Sequence, residues 1–241
     1  MKEQKKFELK LTLASMILYY SLLIIGNIMS NKILGIEYSA VVPIQIILFI
    51  GILLYLKRKN LLSYYGISSM KGLNHKKLLF YVPFIVISFC NLVNGIHIDG
   101  AAPELFLALI AMLFTGFFEE LLFRSYFVKL LLHRSRILAI MLPSLIFGIV
   151  HLANLFGGAD IVQTFLQVFY ASAFGFMCTA FFYKTNNIIP CVICHSLVDM
   201  IYVITPTDSA AQDVLFSIIV ILFGTGYGIY LMINNYGGTE T

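Results

Sequence analysis

Charge is scarce in this chain. Asp, Glu, Lys and Arg together make up 12% of the 241 residues, while 60% are hydrophobic and mean hydropathy is +0.91. Soluble domains run at about 25% charged, so the composition excludes the soluble globular class and defines a polytopic membrane protein. Trp is absent, leaving Tyr and Phe to supply the rings of any interfacial belt. Cysteine is limited to Cys90, Cys178, Cys191 and Cys194, all within or beside apolar runs, which argues against a disulfide framework. Cys191-Val192-Ile193-Cys194-His195 spells C-x-x-C-H, yet nothing else suggests attached haem, and one pair is too few for a structural zinc site. Cys191 and Cys194 read as small packing residues. The H-E-x-x-H helix of zinc proteases is missing as well.

What is present is a series of apolar runs, near residues 11–29, 39–56, 78–93, 104–132, 137–154, 161–182, 188–204 and 212–233. A helical span needs about 20 residues, so the third and seventh are short. Setting Arg124 aside, fourteen of the fifteen Lys and Arg fall on alternate connections, and Lys32 is the exception. This positive-inside pattern predicts an all-α, polytopic membrane helix bundle of about eight spans with both termini cytoplasmic. It also accounts for the net charge of +4 without nucleic acid. No small-x-small site closes the first run, which reads as an uncleaved span. The basic 57–77 connection reads as topology plus attraction to anionic lipid, and His97 as a solvated loop residue. The whole of 1–241 reads as one membrane-embedded domain.

Against that background the ionisable groups inside apolar runs stand out. A charge at bilayer depth costs roughly 2.5–3.5 kcal/mol on insertion scales, so such residues are rare and mark function. Glu119, Glu120 and Arg124 lie in the fourth run, His151 in the fifth, and His195 and Asp199 in the seventh. Glu120 and Arg124 are four apart and can neutralise each other as a buried pair, leaving Glu119 on a neighbouring face. A hairpin turning at Ser135 sets Glu119 and His151 at equal depth, each sixteen residues or about 24 Å along its helix, although Pro143 can disturb the register. His195 and Asp199 share one face. Three elements can therefore converge on one polar cavity. There a carboxylate and a histidine activate water for attack on a carbonyl, and the third element binds or orients the oxyanion. A divalent metal such as zinc on Glu119, His151 and His195 is chemically reasonable, and a metal-free mechanism is equally open.

Glu119-Glu120-x-x-x-Arg124, Phe147-x-x-x-His151 and His195-x-x-x-Asp199, in this order on three apolar segments, resemble the CPBP family. That family holds the CAAX prenyl endopeptidases and the bacterial bacteriocin-processing or self-immunity (Abi) proteins. The resemblance covers 104–204. It implies an intramembrane endopeptidase, often labelled a metalloprotease, with a conical cavity opening to the cytoplasm. In it Glu119 and His151 activate water, while His195 and the residue at Asp199 stabilise the oxyanion. The eukaryotic enzymes carry Asn at the Asp199 position; an ionised carboxylate repels an oxyanion, so Asp199 is expected to orient His195 instead. The implied partners are the bilayer and a membrane-associated peptide or lipidated protein. The implied setting is the plasma membrane of a bacterium, in pheromone maturation, bacteriocin processing or self-immunity. A non-catalytic immunity or scaffold protein of the same fold, and a proton-coupled transporter, are the competing readings.

Overall fold

The computed structural model describes residues 2–67, 80–98, 101–205 and 209–234. Lys71, Lys76 and Lys77, counted above among the basic residues, and the Asp99-Gly100 end of the outer turn lie outside them.

Among the described residues every apolar run forms a helix and none forms a strand, as the bilayer demands of a chain that must satisfy its own backbone. In chain order these are α1 (Lys2–Ile28), α2 (Val41–Arg58), α3 (Val82–Phe89), α4 (Ala102–Glu120), α5 (Val128–Leu132), α6 (Arg136–Ile149), α7 (Ile161–Thr185), α8 (Ile189–Ile204) and α9 (Ala210–Ile233). A π-helical stretch, Leu121–Phe127, joins α4 to α5 into one 31-residue apolar rod, and a 3₁₀ stretch, Val150–Gly157, extends α6. Six of these helical stretches are long and apolar enough to cross a membrane. The other two, Val82–Asn94 and Ile189–Ile204, are apolar but shorter, and correspond to the third and seventh runs. The helix runs unbroken through Pro143. The protein is a multi-pass helical membrane bundle.

Polar contacts between the connections define two ends. At one end Glu8 accepts from Tyr64 (2.5 Å) and meets His133 at 2.8 Å, Asn186 donates to the Ser63 carbonyl, and Lys184 donates to the Asn234 carbonyl. This is the end of the basic connections. At the other end the His97 amide donates to the Ile204 carbonyl, and Gln163 donates to Asp213 at 3.0 Å.

The site depends on how closely α4 and α8 approach. Gly116 makes this possible: a Cβ there would lie 2.8 Å from the Ser196 backbone nitrogen. Ser196 Oγ then donates to the Leu113 carbonyl at 3.1 Å, fixing the register. Three and four residues on from Gly116, Glu119 and Glu120 are thereby held against the residue before Ser196, which is His195. We expect Gly116→Val to cost about 1–3 kcal/mol through overpacking, read as a lower melting temperature in detergent. An unchanged value would mean the helices separate without penalty.

Candidate active site

His195 sits at the centre of the ionisable residues. It is 6% exposed, and its Nδ1 lies 2.9 Å from Glu120 Oε1. A carboxylate oxygen accepts, so Nδ1 carries the hydrogen. Nε2 is left facing two further carboxylates, Asp199 Oδ2 at 3.5 Å and Glu119 Oε2 at 3.8 Å. Glu120 in turn pairs with Arg124, Oε2 to Nε at 3.0 Å, and both side chains are fully buried. That contact has ion-pair distance without hydrogen-bond alignment. Where spacing alone suggested that Arg124 simply neutralises Glu120, the structure gives Glu120 two partners. It links a buried cation to the histidine.

Phe147, quoted in the second motif but given no role from sequence, ties the cluster together. The Arg124 guanidinium stacks 4.1 Å from its ring centroid, a cation–π contact. The His151 and His195 rings both meet it edge-on, at 5.3 and 5.6 Å between centroids. His151 Nδ1 lies 2.8 Å from the Phe147 carbonyl, which can only accept, so Nε2 of His151 is the ring atom left without a hydrogen. Among the described residues no hydrogen bond or ion pair joins His151 to Glu119. The π-helical stretch begins directly after Glu120, and its widened turn carries Arg124. Such insertions recur at functional sites.

A cavity of about 590 Å³ adjoins this cluster, its wall including Phe147, His151, His195 and Asp199. Glu119 is not part of the wall; it lies behind His195, which is, with Oε2 3.8 Å from His195 Nε2. The cavity extends to Asn154, Ala159, Gln163 and Asp213, at the end opposite the basic connections. The resemblance implies an opening to the cytoplasm; the polar lining described here lies toward the less basic end. His151 lies only six residues from the end of its helical stretch, and Asp199 only five from the end of α8, both at the less basic end. Gln163, Gln167 and Asp213 drew no notice in the sequence, because amides and a carboxylate in the first two turns of helices look like ordinary surface.

The donor atoms of Glu119, His151 and His195 do not gather tightly enough to form a zinc site. Among the described residues the group whose ligand atoms all lie within 4.8 Å of one another is Glu120, Cys178 and Cys191. There Glu120 already faces the Arg124 cation, which opposes a second positive charge. The arrangement does not fit a metal at either place, and no step is derived through one.

The bundle gathers carboxylates and histidines from three apolar segments around His195 and Phe147, beside a cavity, and ionisable groups so placed in a membrane bundle mark a functional site. Residues 101–201 match the family model described as type II CAAX prenyl endopeptidase Rce1-like. This agrees with the resemblance read from the motifs, all three of which lie in the matched segment, and the family is one of proteases acting on membrane-associated proteins. No curated protein and no solved structure matches the chain.

Proposed function

We propose that the protein is an intramembrane endopeptidase that hydrolyses a peptide bond in a membrane-associated peptide or lipidated protein. One observation supports this above the rest. The Nε2 face of His195 meets Glu119 and Asp199 at 3.8 and 3.5 Å, beside a cavity that also exposes His151.

In this reading Glu119 and His151 share the activation of water. At 3.8 Å Glu119 is too far from His195 for a direct hydrogen bond, so its lone pairs stay available to a water molecule. His151, in the cavity wall, offers its bare Nε2 to the same water. The water loses its proton to this pair as its oxygen attacks the substrate carbonyl. His195, fixed through Nδ1 by Glu120, directs Nε2–H at the developing oxyanion, and Asp199 orients the ring and supports its charge. The tetrahedral intermediate then collapses. The C–N bond breaks, the leaving amine takes the proton held by the base, and an acid and an amine are released.

The decisive comparison is the membrane peptidome of wild type against Glu119→Gln at equal protein levels. Peptides that accumulate uncut in the variant support hydrolysis and name the substrate. Identical peptidomes would leave a binding or immunity protein of the same fold. Asp199→Asn keeps an acceptor oxygen but loses the charge beside His195, and a rate fall of about tenfold to a hundredfold is expected. Asp199→Ala should fall further, and full activity in Asp199→Ala would remove the orienting role.

A further inference from the structure

The outer part of the cavity is built differently from the cluster at its inner end. Its wall carries Asp213 and the amides of Asn154, Gln163 and Gln167, together with the rings of Tyr170 and Tyr202, and it contains no Lys or Arg. Asp213 accepts a hydrogen bond from Gln163 Nε2 at 3.0 Å. No Lys or Arg pairs with it among the described residues. Asn154 and Gln167 hold one another at 2.8 Å. Tyr170 packs edge-on against Phe216 at 5.2 Å, which sets its ring in the wall beside the helix that bears Asp213.

The surrounding surface has the same sign. Among the described residues at this end of the bundle, the connections and first helical turns carry Glu37, Glu104, Asp160 and Asp213, with Lys32 as the one Lys or Arg. A concave site lined by carboxylates and low-dielectric walls concentrates field lines and draws in cations. Aromatic faces beside a carboxylate reinforce this, because ring quadrupoles attract the same charge.

We propose that this outer chamber is a subsite for a cationic group of the peptide substrate, a Lys or Arg side chain or a free α-ammonium, and that Asp213 is the specificity-determining residue. The inference rests on the endopeptidase reading and deepens it. The substrate it describes is an apolar peptide carrying a positive charge on the segment that enters last, presented at the acidic end of the bundle. The amides of Gln163 and Gln167 offer that segment the donors and acceptors an extended backbone requires.

The test separates binding from cleavage. Fluorescein-labelled, N-acetylated apolar peptides bearing Lys, Gln or Glu at one flanking position are titrated by anisotropy against the Glu119→Gln protein in nanodiscs. A fourth peptide has Gln and a free amino terminus. The Lys peptide is expected to bind about tenfold tighter than the Gln peptide, as a charge-assisted contact provides. The free-amine peptide shows whether an α-ammonium serves equally. Adding Asp213→Asn should make the Lys and Gln peptides equal, and Asp213→Lys should favour the Glu peptide. Melting temperatures confirm that each variant is folded.

A Lys preference that survives Asp213→Asn, or no preference at all in the parent protein, overturns the subsite. The peptidome comparison stands apart from this outcome. A chain that hydrolyses without charge preference loses only the subsite, and one that prefers Lys without hydrolysing loses only the endopeptidase reading.

Discussion

Glu119→Gln is expected to lower the rate of peptide-bond hydrolysis by about 10²–10⁴-fold, the usual loss when a positioned general base is removed. The change swaps one oxygen for an amide of equal size. Glu119 is only 15% exposed and its nearest ionisable neighbour, His195, remains in place, so the fold should not notice. The amide keeps one acceptor but cannot take a proton from water. Abundance and melting temperature should therefore match wild type while turnover collapses, and substrate should remain bound. Measured in nanodiscs with a substrate identified from the peptidome, retention of more than a tenth of the wild-type rate would remove Glu119 from the chemistry. His151→Ala makes the parallel case for the second residue of the pair. If either variant alone loses most of the rate, the two act as a unit, because effects within one catalytic unit are not additive.

Arg124→Gln carries the largest expected cost in stability. Its guanidinium and the Glu120 carboxylate are both fully buried, 3.0 Å apart. Removing one partner of a buried pair leaves the other charge uncompensated, typically at about 3–5 kcal/mol. The variant should be scarce in membranes and should unfold at markedly lower temperature. Glu120→Gln should show a related loss, from an unpaired arginine. The double change Glu120→Gln/Arg124→Gln removes both charges and should restore abundance. Activity should not return with it, because Glu120 also holds His195 Nδ1 at 2.9 Å. Rescue of level without rescue of rate distinguishes the structure's view from the simpler one in which the two residues only cancel. If the rate returned as well, Glu120 would have no part in positioning the histidine.

How much of this was legible in the sequence varies from element to element. Apolar runs and alternating basic connections gave the helices almost to their ends, since a bilayer permits few alternatives to a helix and charges mark the boundaries. Even the two short spans were visible as shortfalls in length. At the site, each residue could be placed by its cost: an ionisable group in an apolar run has to find a polar companion. Which companion it finds is a matter of helix rotation and approach. Spacing of four matched Glu120 with Arg124, but nothing local revealed that Glu120 also reaches across to α8. That contact depends on Gly116 and Ser196 letting two backbones close together. Phe147 was quoted in the second motif without a role, although its ring is where Arg124, His151 and His195 meet. The position of the cavity was not legible for a related reason. Depth along a helix follows from counting residues, whereas the side on which helices splay apart depends on packing between distant parts of the chain.

The shortness of α8 bears on the lipid as well as on the protein. Sixteen residues reach about 24 Å against a hydrocarbon layer of about 30 Å. Its neighbour α3, joined to it where Cys194 Sγ donates to the Phe84 carbonyl, is no longer. Two adjacent helices of this length are expected to draw the leaflets together locally. A bilayer thinned beside α8 would shorten the path through oil that a water molecule takes to reach His195 and Asp199.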